Sequence, residues 1–587
     1  MLKELADFDA LMEKLVRDCN VPGIGVSVIK DEEILIAKGY GYRDHAHKLP
    51  FTAATGFPIA SNTKLFTAVA AGLLVDRGLL SFDRPIRDFV PSLNFYDKSL
   101  DEAVTLRDML GHRTGVPRHD TIWYEAGLSP KQLFERIRFM KPTAPLRTKF
   151  IYNNMMYEAV GHIIELLTGK PWDIFVRDEI LTPLGMIGTA FTITDMLAQP
   201  EYAVPFLERR DSSELWQPPY MDDDESSPAG SMVASLGDIS RWLVMLMNNG
   251  RIDGKQVIPE RILKATLAPG LPLPDVMNEI MGFSPELNVI YGMGRQTSAY
   301  RGHLLTSHGG DLRAFHSQIS YLPREKIGVS VFVIGDHCAI LRDAVGYEIY
   351  DRMLGLAPTD WTERMLDFDK KARNSICEAR QRVTPNAVPG TRPSHDLADY
   401  AGHYDHPAYG TLTVALHDKQ LQFEFRQTRL ALNHFHYDRF DTPDDEADGA
   451  WSILFQTSAL GDIDRAVLWL DQADAVFVRV PIAPPVSVIE QLVGIYVSEL
   501  GIKAAVQLNG DQKLTLRFPF QPAEVLVPFR DLQFRSRLSP ETTFEFVMDD
   551  GRVTALRYWD SHVEFSLTRT EGDGTIDAMD DDGSTLE

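Results

Sequence analysis

Ser61 and Lys64 are the first residues whose types and spacing can do chemistry, in the run IASNTK at residues 59–64. An apolar helical pattern begins at Ser61, so Lys64 lies one turn later on the same face and within reach of it. A serine hydroxyl is a weak nucleophile, and a desolvated lysine beside it can lose its charge and accept its proton. The positive end of the helix dipole supports the same chemistry. Taken alone, the pair is more typical of an N-cap serine followed by a surface lysine.

A second candidate is the run Tyr152-Asn153-Asn154, on a predicted loop just before another apolar helix. A phenol next to a lysine ammonium can be driven toward phenolate, so Tyr152 is a candidate general base or acid. We expect Asn154 to hold a substrate carbonyl. The structural alternative is a helix-capping asparagine after a buried tyrosine.

The third candidate, at residues 307–311, is a serine followed by His308, Gly309, Gly310 and Asp311, directly before a predicted strand. The two glycines let a substrate lie against the strand edge. A backbone N–H just after them would pair with that of the nucleophilic serine to form an oxyanion hole. A simple Gly-Gly turn that carries a surface histidine is the alternative.

The secondary-structure pattern places all three motifs in one N-terminal domain, residues 1–358. Apolar runs at 23–30 and 33–39 predict a β-hairpin, and two late strands are predicted at 317–322 and 328–334. Strands at both ends with helices between them predict one α/β domain whose terminal strands share a sheet. Apart from an amphipathic N-terminal helix, the predicted helices lie at 64–77, 106–110, 157–168, 236–249 and 339–354.

Beyond residue 358 the pattern changes to a linker at 359–394, which is polar and helical at first and then rich in proline. Two stretches of short alternating strands follow, at 395–480 and 486–570, and each is long enough for a small antiparallel barrel. They resemble each other at an offset of roughly 90 residues, which indicates duplication of a small domain. Residues 571–587 are acidic and are predicted to be a disordered tail.

The duplication rests on two matched pieces of sequence. Gly402-His403-Tyr404 matches Gly494-Ile495-Tyr496, and each is followed by an alternating apolar run. Later, the run that begins at Ala466 matches the run that begins at Ala555.

Composition excludes several classes of protein. Lys and Arg total 59 and Asp and Glu total 83, and a net charge of −24 is a poor basis for binding nucleic acid. Three widely spaced cysteines offer neither a disulfide framework nor a zinc site. Apolar stretches fall short of the ~20 residues of a membrane span, and the N-terminus has no signal-peptide core, so we expect a cytoplasmic protein without membrane contact. The absence of a GxSxG motif around Ser61 argues against an α/β-hydrolase. The absence of an HExxH motif argues against a zincin, and the absence of a P-loop argues against an NTPase.

The order of the three motifs resembles that of the penicillin-recognising serine hydrolases: SxxK first, then YxN, then a basic residue with glycine before a strand. The flanking runs at 105–115, 228–233 and 291–294 look like the class C β-lactamase-like branch, which includes esterases and D-aminopeptidases. The resemblance covers about residues 1–355. It implies an α/β (α+β) β-lactamase/transpeptidase-like catalytic domain, an antiparallel sheet flanked by helices, followed here by two small antiparallel β-barrel domains.

The resemblance also implies a reaction. Ser61 would be acylated, Lys64 and Tyr152 would shuttle protons, and water or another acceptor would release the acyl group, with no cofactor and no metal. The family's Lys-Thr-Gly is here His308 followed by two glycines. Many β-lactamases use that lysine to bind an acidic group of the antibiotic, whereas D-aminopeptidase-like and esterase members tolerate histidine. The departure therefore argues against penicillin hydrolysis and leaves serine chemistry untouched.

Substrate type is indicated by the acidic loop at 221–227, which runs into the motif at 228–230. In family members that segment lies near the pocket mouth, where four carboxylates would favour a substrate with a free ammonium group. A solvated surface loop is the alternative. D-Aminopeptidases of the family also carry two small β-barrels, one of which sends a loop toward the active site.

We predict as catalytic Ser61, Lys64, Tyr152 and His308, and as substrate-binding Asn154, Gly309, Gly310, Asp311 and Asp223.

Three activities compete. A D-aminopeptidase or D-amino-acid amidase is the first choice, a carboxylesterase is close behind, and a β-lactamase is third because of His308. The rival from another class is a non-catalytic, penicillin-binding-protein-like binding protein, against which the intact motifs argue. The expected partner is a small molecule or short peptide, and a homodimer is among the assemblies that the sequence leaves open.

Overall fold

The computed structural model describes residues 5–124, 126–221, 227–274, 283–382, 387–446, 449–470, 473–481, 483–559 and 563–570. The predicted tail at 571–587 and the part of the acidic loop that contains Asp223 lie outside these ranges. Within them, no helix combines the length and the apolar composition needed to cross a membrane.

The N-terminal domain contains a large antiparallel sheet and several two-stranded ribbons. Its strands are β1 (Gly23–Lys30), β2 (Glu33–Asp44), β3 (Leu49–Pro50), β4 (Phe57–Pro58), β5 (Leu207–Glu208), β6 (Leu215–Trp216), β7 (Val233–Ala234), β8 (Arg251–Ile252), β9 (Lys255–Gln256), β10 (Glu286–Tyr291), β11 (Gln296–Tyr300), β12 (His303–Leu312), β13 (Phe315–Leu322) and β14 (Ile327–Ile334). The large sheet has the order β10-β11-β12-β13-β14-β1-β2-β3.

Pairing of β1 with β14 confirms that the terminal strands share one sheet. Ile24 lies opposite Val333, and Ser27 lies opposite Ser330 in the middle of the pair. The two serine hydroxyls hydrogen-bond each other at 2.7 Å, which satisfies both groups in the buried centre of the sheet.

Helices pack on both faces of this sheet. The described helices of the domain are α1 (Phe8–Asp18), α2 (Thr63–Asp76), α3 (Lys98–Ala103), α4 (Leu106–Leu110), α5 (Asp120–Trp123), α6 (Pro130–Arg136), α7 (Asn154–Thr168), α8 (Trp172–Val176), α9 (Thr182–Leu184), α10 (Ile193–Leu197), α11 (Leu236–Met247), α12 (Glu260–Thr266) and α13 (Leu341–Leu354). Helices α1 and α13 pack on one face and α11 on the other. Val331 and Val333 of β14 pack in one cluster with α1 and α13, whereas Phe332 and Ile334 lie on the opposite face, on the side of α11. This alternation follows from the two-residue period of a strand, and the predicted helices are confirmed to within a turn at each end.

The first part of the predicted linker forms a long helix, α14 (Trp361–Arg382), that packs on the N-terminal domain. Trp361 and Met365 are buried in the same apolar cluster as α1 and α13. The Trp361 indole N–H also donates to Asp351 Oδ2 at 2.8 Å. The beginning of this helix is therefore part of the N-terminal domain.

Two closed eight-stranded antiparallel barrels follow, as the alternating patterns predict. The first contains α15 (Leu397–Tyr400), β15 (Gly402–His406), β16 (Gly410–His417), β17 (Gln420–Phe425), β18 (Thr428–His436), β19 (Arg439–Asp441), β20 (Ser452–Thr457), β21 (Ile463–Leu470) and β22 (Ala473–Val480). The second contains α16 (Val486–Leu492), β23 (Gly494–Ser498), β24 (Lys503–Leu508), β25 (Leu514–Arg517), β26 (Glu524–Arg530), β27 (Gln533–Ser536), β28 (Thr543–Asp549), β29 (Arg552–Trp559) and β30 (Glu564–Thr570).

The two barrels repeat the same internal contacts. Tyr404 and Tyr496 each donate a hydrogen bond to the carbonyl four residues earlier, at 2.8 and 2.7 Å. Arg479 lies opposite Tyr404 where the first barrel closes, and Arg569 lies opposite Tyr496 in the second. These shared details support the predicted duplication.

The predicted match of Ala466 with Ala555 is wrong by one residue. Ala466 lies opposite Phe477 in the first barrel, and in the second barrel the residue opposite Leu567 is Leu556. Phe477 and Leu567 each stand two residues before the closing arginine, so Ala466 corresponds to Leu556. A slip of one residue exchanges the interior and exterior faces of a strand, which the letters of the sequence alone do not reveal.

Candidate active site

Ser61 lies in a single 3-10 turn, Ala60–Asn62, directly before α2. The Asn62 side-chain amide donates to Ser317 Oγ at 2.8 Å, and Ser317 Oγ donates to the Ile59 carbonyl at 2.8 Å. Ala60 has φ +49°, an unusual left-handed conformation for a residue with a β-carbon. The turn is thus pinned to β13 on both sides of the serine, at the helix start that the sequence predicts.

Lys64 is fully buried, so the surface-lysine alternative is wrong. Its Nζ donates to Ser61 Oγ at 3.1 Å and to the Ala229 carbonyl at 2.7 Å. The rings of Tyr152 and Tyr157 lie with their centroids 4.8 and 5.3 Å from Nζ. The nitrogen is therefore held in one place between the nucleophile and two aromatic rings.

Burial lowers the pKa of the Lys64 ammonium to about 7. The charges of Glu158 and Asp120 act in the opposite direction, and that of Arg118 acts with burial. A substantial fraction of the side chain is consequently neutral near pH 7, with a lone pair available to accept a proton.

Tyr152 lies in the loop before α7, as predicted, and its O–H donates to Ser61 Oγ at 2.8 Å. Burial raises the pKa of the phenol above its usual value, so Tyr152 carries its proton at neutral pH. Its ring packs on His112 at a centroid distance of 4.3 Å, and His112 Nδ1 accepts the backbone N–H of Asn153 at 3.0 Å. This histidine, which sequence reasoning missed, holds the loop that presents the phenol.

Asn154 is the first residue of α7 and lines the same pocket as Ser61. Its side-chain N–H donates to Asp120 Oδ1 at 2.9 Å, and its buried amide oxygen has no partner among the described residues. The helix cap is Asn153, whose side chain accepts the Met156 N–H at 3.2 Å. Asn154 therefore keeps an acceptor for a ligand, which supports the predicted substrate role.

His308 is not among the residues that line the pocket of Ser61 and Asn154, and its ring centroid is 6.5 Å from that of Tyr152. Its Nδ1 hydrogen-bonds the Gly309 carbonyl at 2.6 Å, and its Nε2 hydrogen-bonds the Tyr291 hydroxyl at 2.8 Å. The carbonyl can only accept, so Nδ1 carries the proton and Nε2 accepts from the phenol. Burial lowers the pKa of His308 to about 4. It is therefore a neutral imidazole and brings no positive charge to this position.

Gly309 and Gly310 lie within strand β12, so the alternative of a Gly-Gly turn is wrong; the hairpin turns at 313–314. The described ladder between β11 and β12 ends at Ser307, beyond which β12 continues to pair with β13. A β-carbon on Gly310 would come within 2.2 Å of the Ile59 carbonyl oxygen. The glycine thus lets the strand edge approach the nucleophile turn, and a second oxyanion donor from this edge stays a prediction.

Asp311, the last residue of the motif, belongs to a charged cluster on the pocket wall. His316 Nδ1 donates to Asp311 Oδ1 at 2.7 Å, and its Nε2 donates to Asp336 Oδ1 at 3.0 Å. Arg342 also contacts Asp311. Against the effect of burial, the bonds from His316 and Arg342 lower the pKa of Asp311 to about 2. Because both ring nitrogens face carboxylates, His316 is held as a cation, and its pKa is raised.

A cavity of about 320 Å³ opens over Ser61. The residues that line it include Ala60, Ser61, Arg118, Asp120, Trp123, Tyr124, Asn154, Met221, Ala229, Gly230, Asp311, Leu312, Arg313, His316 and Asp336. Met221 and Ala229 flank the acidic loop from either side, whereas Asp223 lies outside the described residues. Sequence reasoning missed Asp120, His316 and Asp336, none of which stands in a motif.

Two family models match the chain. The one described as Beta-lactamase matches residues 8–340, and one described as a domain of unknown function (DUF3471) matches residues 386–476. The first covers more than half of the chain, including Ser61, Lys64, Tyr152 and His308. The second covers most of the first barrel.

Relatives and solved structures agree with this match. The chain is 28% identical over 444 residues to "Unguisins hydrolase ungD" of Aspergillus violaceofuscus, covering 70% of this chain and 76% of the relative. It is 24% identical over 330 residues to "Protein flp" of Staphylococcus aureus, covering 55% and 61%. The octameric penicillin-binding protein homologue from Pyrococcus abyssi superposes with a TM-score of 0.55 at 21% identity, over 81% of this chain and 99% of that one.

Proposed function

The chain belongs to the beta-lactamase family of serine hydrolases, and from that premise we propose that it is a D-aminopeptidase or D-amino-acid amidase/esterase that acts through an acyl-enzyme on Ser61. One observation carries the proposal: the Ser61 hydroxyl accepts from Lys64 at 3.1 Å and from Tyr152 at 2.8 Å, and it lines the cavity. A scaffold protein has no physical need to bury a lysine in this way.

The geometry supports a definite sequence of proton transfers. Neutral Lys64 accepts the Ser61 proton as Oγ bonds to the substrate carbonyl carbon, and the carbonyl electron pair moves to oxygen. Collapse of that intermediate breaks the bond to the leaving amine or alcohol, which takes the Tyr152 proton while Lys64 reprotonates the phenol. Water then attacks the acyl ester, Lys64 accepts its proton, and Ser61 Oγ leaves with a proton from the same pair.

Preference for a substrate with a free ammonium is proposed from the placement of one carboxylate, that of Asp120, beside Asn154 in the cavity. The cavity wall as a whole is balanced in charge, because Arg118 pairs with Asp120 and His316 pairs with Asp311 and Asp336. The Trp123 indole N–H donates to Asp120 Oδ1 at 3.1 Å, as Asn154 also does, so this carboxylate is oriented. The neutral His308 places no cation at the position of the family's lysine, which supports ranking a β-lactamase below an amidase, although Arg118 and Arg313 line the cavity.

A substrate panel tests the proposal. We expect turnover of D-aminoacyl p-nitroanilides above their L-counterparts, with slow or no hydrolysis of nitrocefin. Hydrolysis of p-nitrophenyl esters without hydrolysis of either the D- or the L-aminoacyl p-nitroanilides would favour the carboxylesterase and refute the aminopeptidase. The name of the fungal relative adds unguisins to the panel. Failure of both a fluorophosphonate and a fluorescent penicillin to acylate Ser61 would favour the non-catalytic binding protein.

Assembly and location are further parts of the proposal. A homodimer stays a prediction, to be tested by light scattering coupled to size exclusion; the homologue from Pyrococcus abyssi is described as octameric. Cytoplasmic location also stays a prediction, and the three cysteines, all free, are consistent with it. Cys338 is buried, Cys19 is partly buried and Cys377 is exposed.

A further inference from the structure

Two hairpin tips of the first barrel contact the segment 118–124, which supplies one wall of the cavity. The wall residues from this segment are Arg118, Asp120, Trp123 and Tyr124. One tip is the turn between β17 and β18, and the other is the turn between β15 and β16. The barrel therefore reaches the pocket from behind, through the backbone of this wall.

Arg426, at the first of these tips, makes the central contacts. Its guanidinium donates to the carbonyl oxygens of Tyr124 and Ile122, the latter at 3.2 Å, and to that of Tyr409 at 3.4 Å. Tyr409, from the second tip, hydrogen-bonds His119 Nδ1 through its hydroxyl at 2.7 Å. One arginine thus joins both tips to the wall.

The second tip has a further anchor on the catalytic domain. Arg136, the last residue of α6, donates from Nη1 to the Ala408 carbonyl at 2.8 Å. The wall segment and α6 are consequently held by the same barrel.

The backbone at Arg426 adopts a conformation that an arginine does not favour. Phe425 pairs with Thr428, so Arg426 is the first of two turn residues, and its φ is +59°. That position favours glycine, because a β-carbon is strained at positive φ. The chain therefore places an arginine where the turn itself favours glycine.

The second barrel shows that the fold does not require this tip. In the corresponding hairpin the described ladder ends at the pair Leu516 and Glu524, which leaves a longer connection. Arg426 is therefore a feature of the barrel that touches the catalytic domain and not of the barrel architecture.

We propose that Arg426 is a positioning residue, through which the first barrel holds the segment 118–124 and so sets how substrate fits above Ser61. It acts through the backbone of Ile122 and Tyr124, and it keeps Asp120 where Asn154 contacts it. The inference rests on the proposed function for its effect on turnover, but not for its effect on the wall itself.

Arg426→Gly is the decisive variant, because it removes the guanidinium and relieves the backbone strain together. We expect kcat/KM for the fastest substrate of the panel to fall about tenfold or more, mainly through KM, while the melting temperature is unchanged or raised. Labelling of Ser61 by a small fluorophosphonate should stay within about twofold of the wild type. Arg426→Lys should recover part of the loss.

Arg429→Ala is the matched control, since Arg429 is an exposed arginine on the same hairpin, opposite Glu424. It should leave kcat/KM unchanged. Amide hydrogen exchange over residues 118–124 gives a readout that needs no activity, and it should quicken in Arg426→Gly alone. Unchanged exchange, or kcat/KM within about twofold of the wild type, overturns the inference even where Ser61 is labelled. Faster exchange in Arg426→Gly, in a protein whose Ser61 is never labelled, supports the inference that Arg426 holds the segment 118–124 and refutes the proposed function.

Discussion

The pKa of Lys64 gives a pH profile that can be worked out in advance. Burial lowers that pKa from its ordinary 10.5 to about 7, which makes protonation about 5 kcal/mol less favourable in the folded protein. If neutral Lys64 accepts the Ser61 proton, kcat/KM rises with pH below 7 and levels off above it. At pH 5 it should be about 100-fold below the plateau, because each pH unit changes the neutral fraction tenfold.

Glu158→Gln supplies the internal control. The Glu158 carboxylate raises the pKa of Lys64, so its neutralisation should lower that pKa and move the ascending limb to lower pH. The assay is kcat/KM from pH 5 to 9 on one p-nitroanilide or ester. A flat profile, or a limb near pH 7 that does not move in the variant, refutes the assignment of the base to Lys64.

The same burial has a consequence for stability. Between pH 7 and 10.5 the unfolded chain holds a proton on Lys64 that the folded protein has released, so this group's contribution to the unfolding free energy rises with pH. Below pH 7 folding carries the full free-energy cost of burying a charged Lys64, and above pH 10.5 that cost vanishes, because Lys64 is neutral in both states. Lys64→Met should therefore be inactive yet melt higher than the wild type at pH 6, with a smaller gain at pH 10. Calorimetry that shows equal gains at both pH values would contradict this reasoning.

Three other variants test the site. Ser61→Ala should abolish turnover and leave the calorimetric melt nearly unchanged; a comparable loss of fold would mean that Ser61 is mainly a helix cap. Gly310→Ala should reduce the rate of fluorophosphonate labelling more than it reduces stability, because its β-carbon would meet the Ile59 carbonyl oxygen at 2.2 Å; an unaffected labelling rate would show that the turn yields freely. His308→Lys should increase nitrocefin acylation at pH 7, since it restores a cation where the imidazole is neutral, and no increase would show that charge at this position does not select the ligand.

That Ser61, Lys64 and Tyr152 lie together could be predicted, because each residue stands at or just before the start of a helix that the sequence pattern indicates. Lys64 follows Ser61 by one helical turn at the start of α2, and Tyr152 stands two residues before the start of α7. Such spacing depends on helix geometry, which the sequence carries directly. The terminal strands were also predictable, because their continuous apolar runs are typical of a buried sheet.

Apart from Asn154 and Asp311, the pocket wall could not be predicted, because its other members come together only through strand register and domain docking. His316 contacts Asp311 because β12 and β13 pair with those residues opposite each other, and Asp336 comes from beyond the next strand. Arg426 reaches Tyr124 across about 300 residues of chain, on a contact between domains. Neither register nor docking has a signature in local residue types.

Because β1 pairs with β14, the large sheet can be completed only after β14 has been synthesised. The hairpin that contains β1 leaves the ribosome about 300 residues before the strand that completes its sheet. At about 5–20 residues per second, the nascent chain exposes an unpaired apolar edge for tens of seconds. Fragments that end before residue 327 lack β14 and keep that edge of β1 unpaired, so we expect them to aggregate when expressed, whereas fragments that end beyond residue 334 should not do so for this reason.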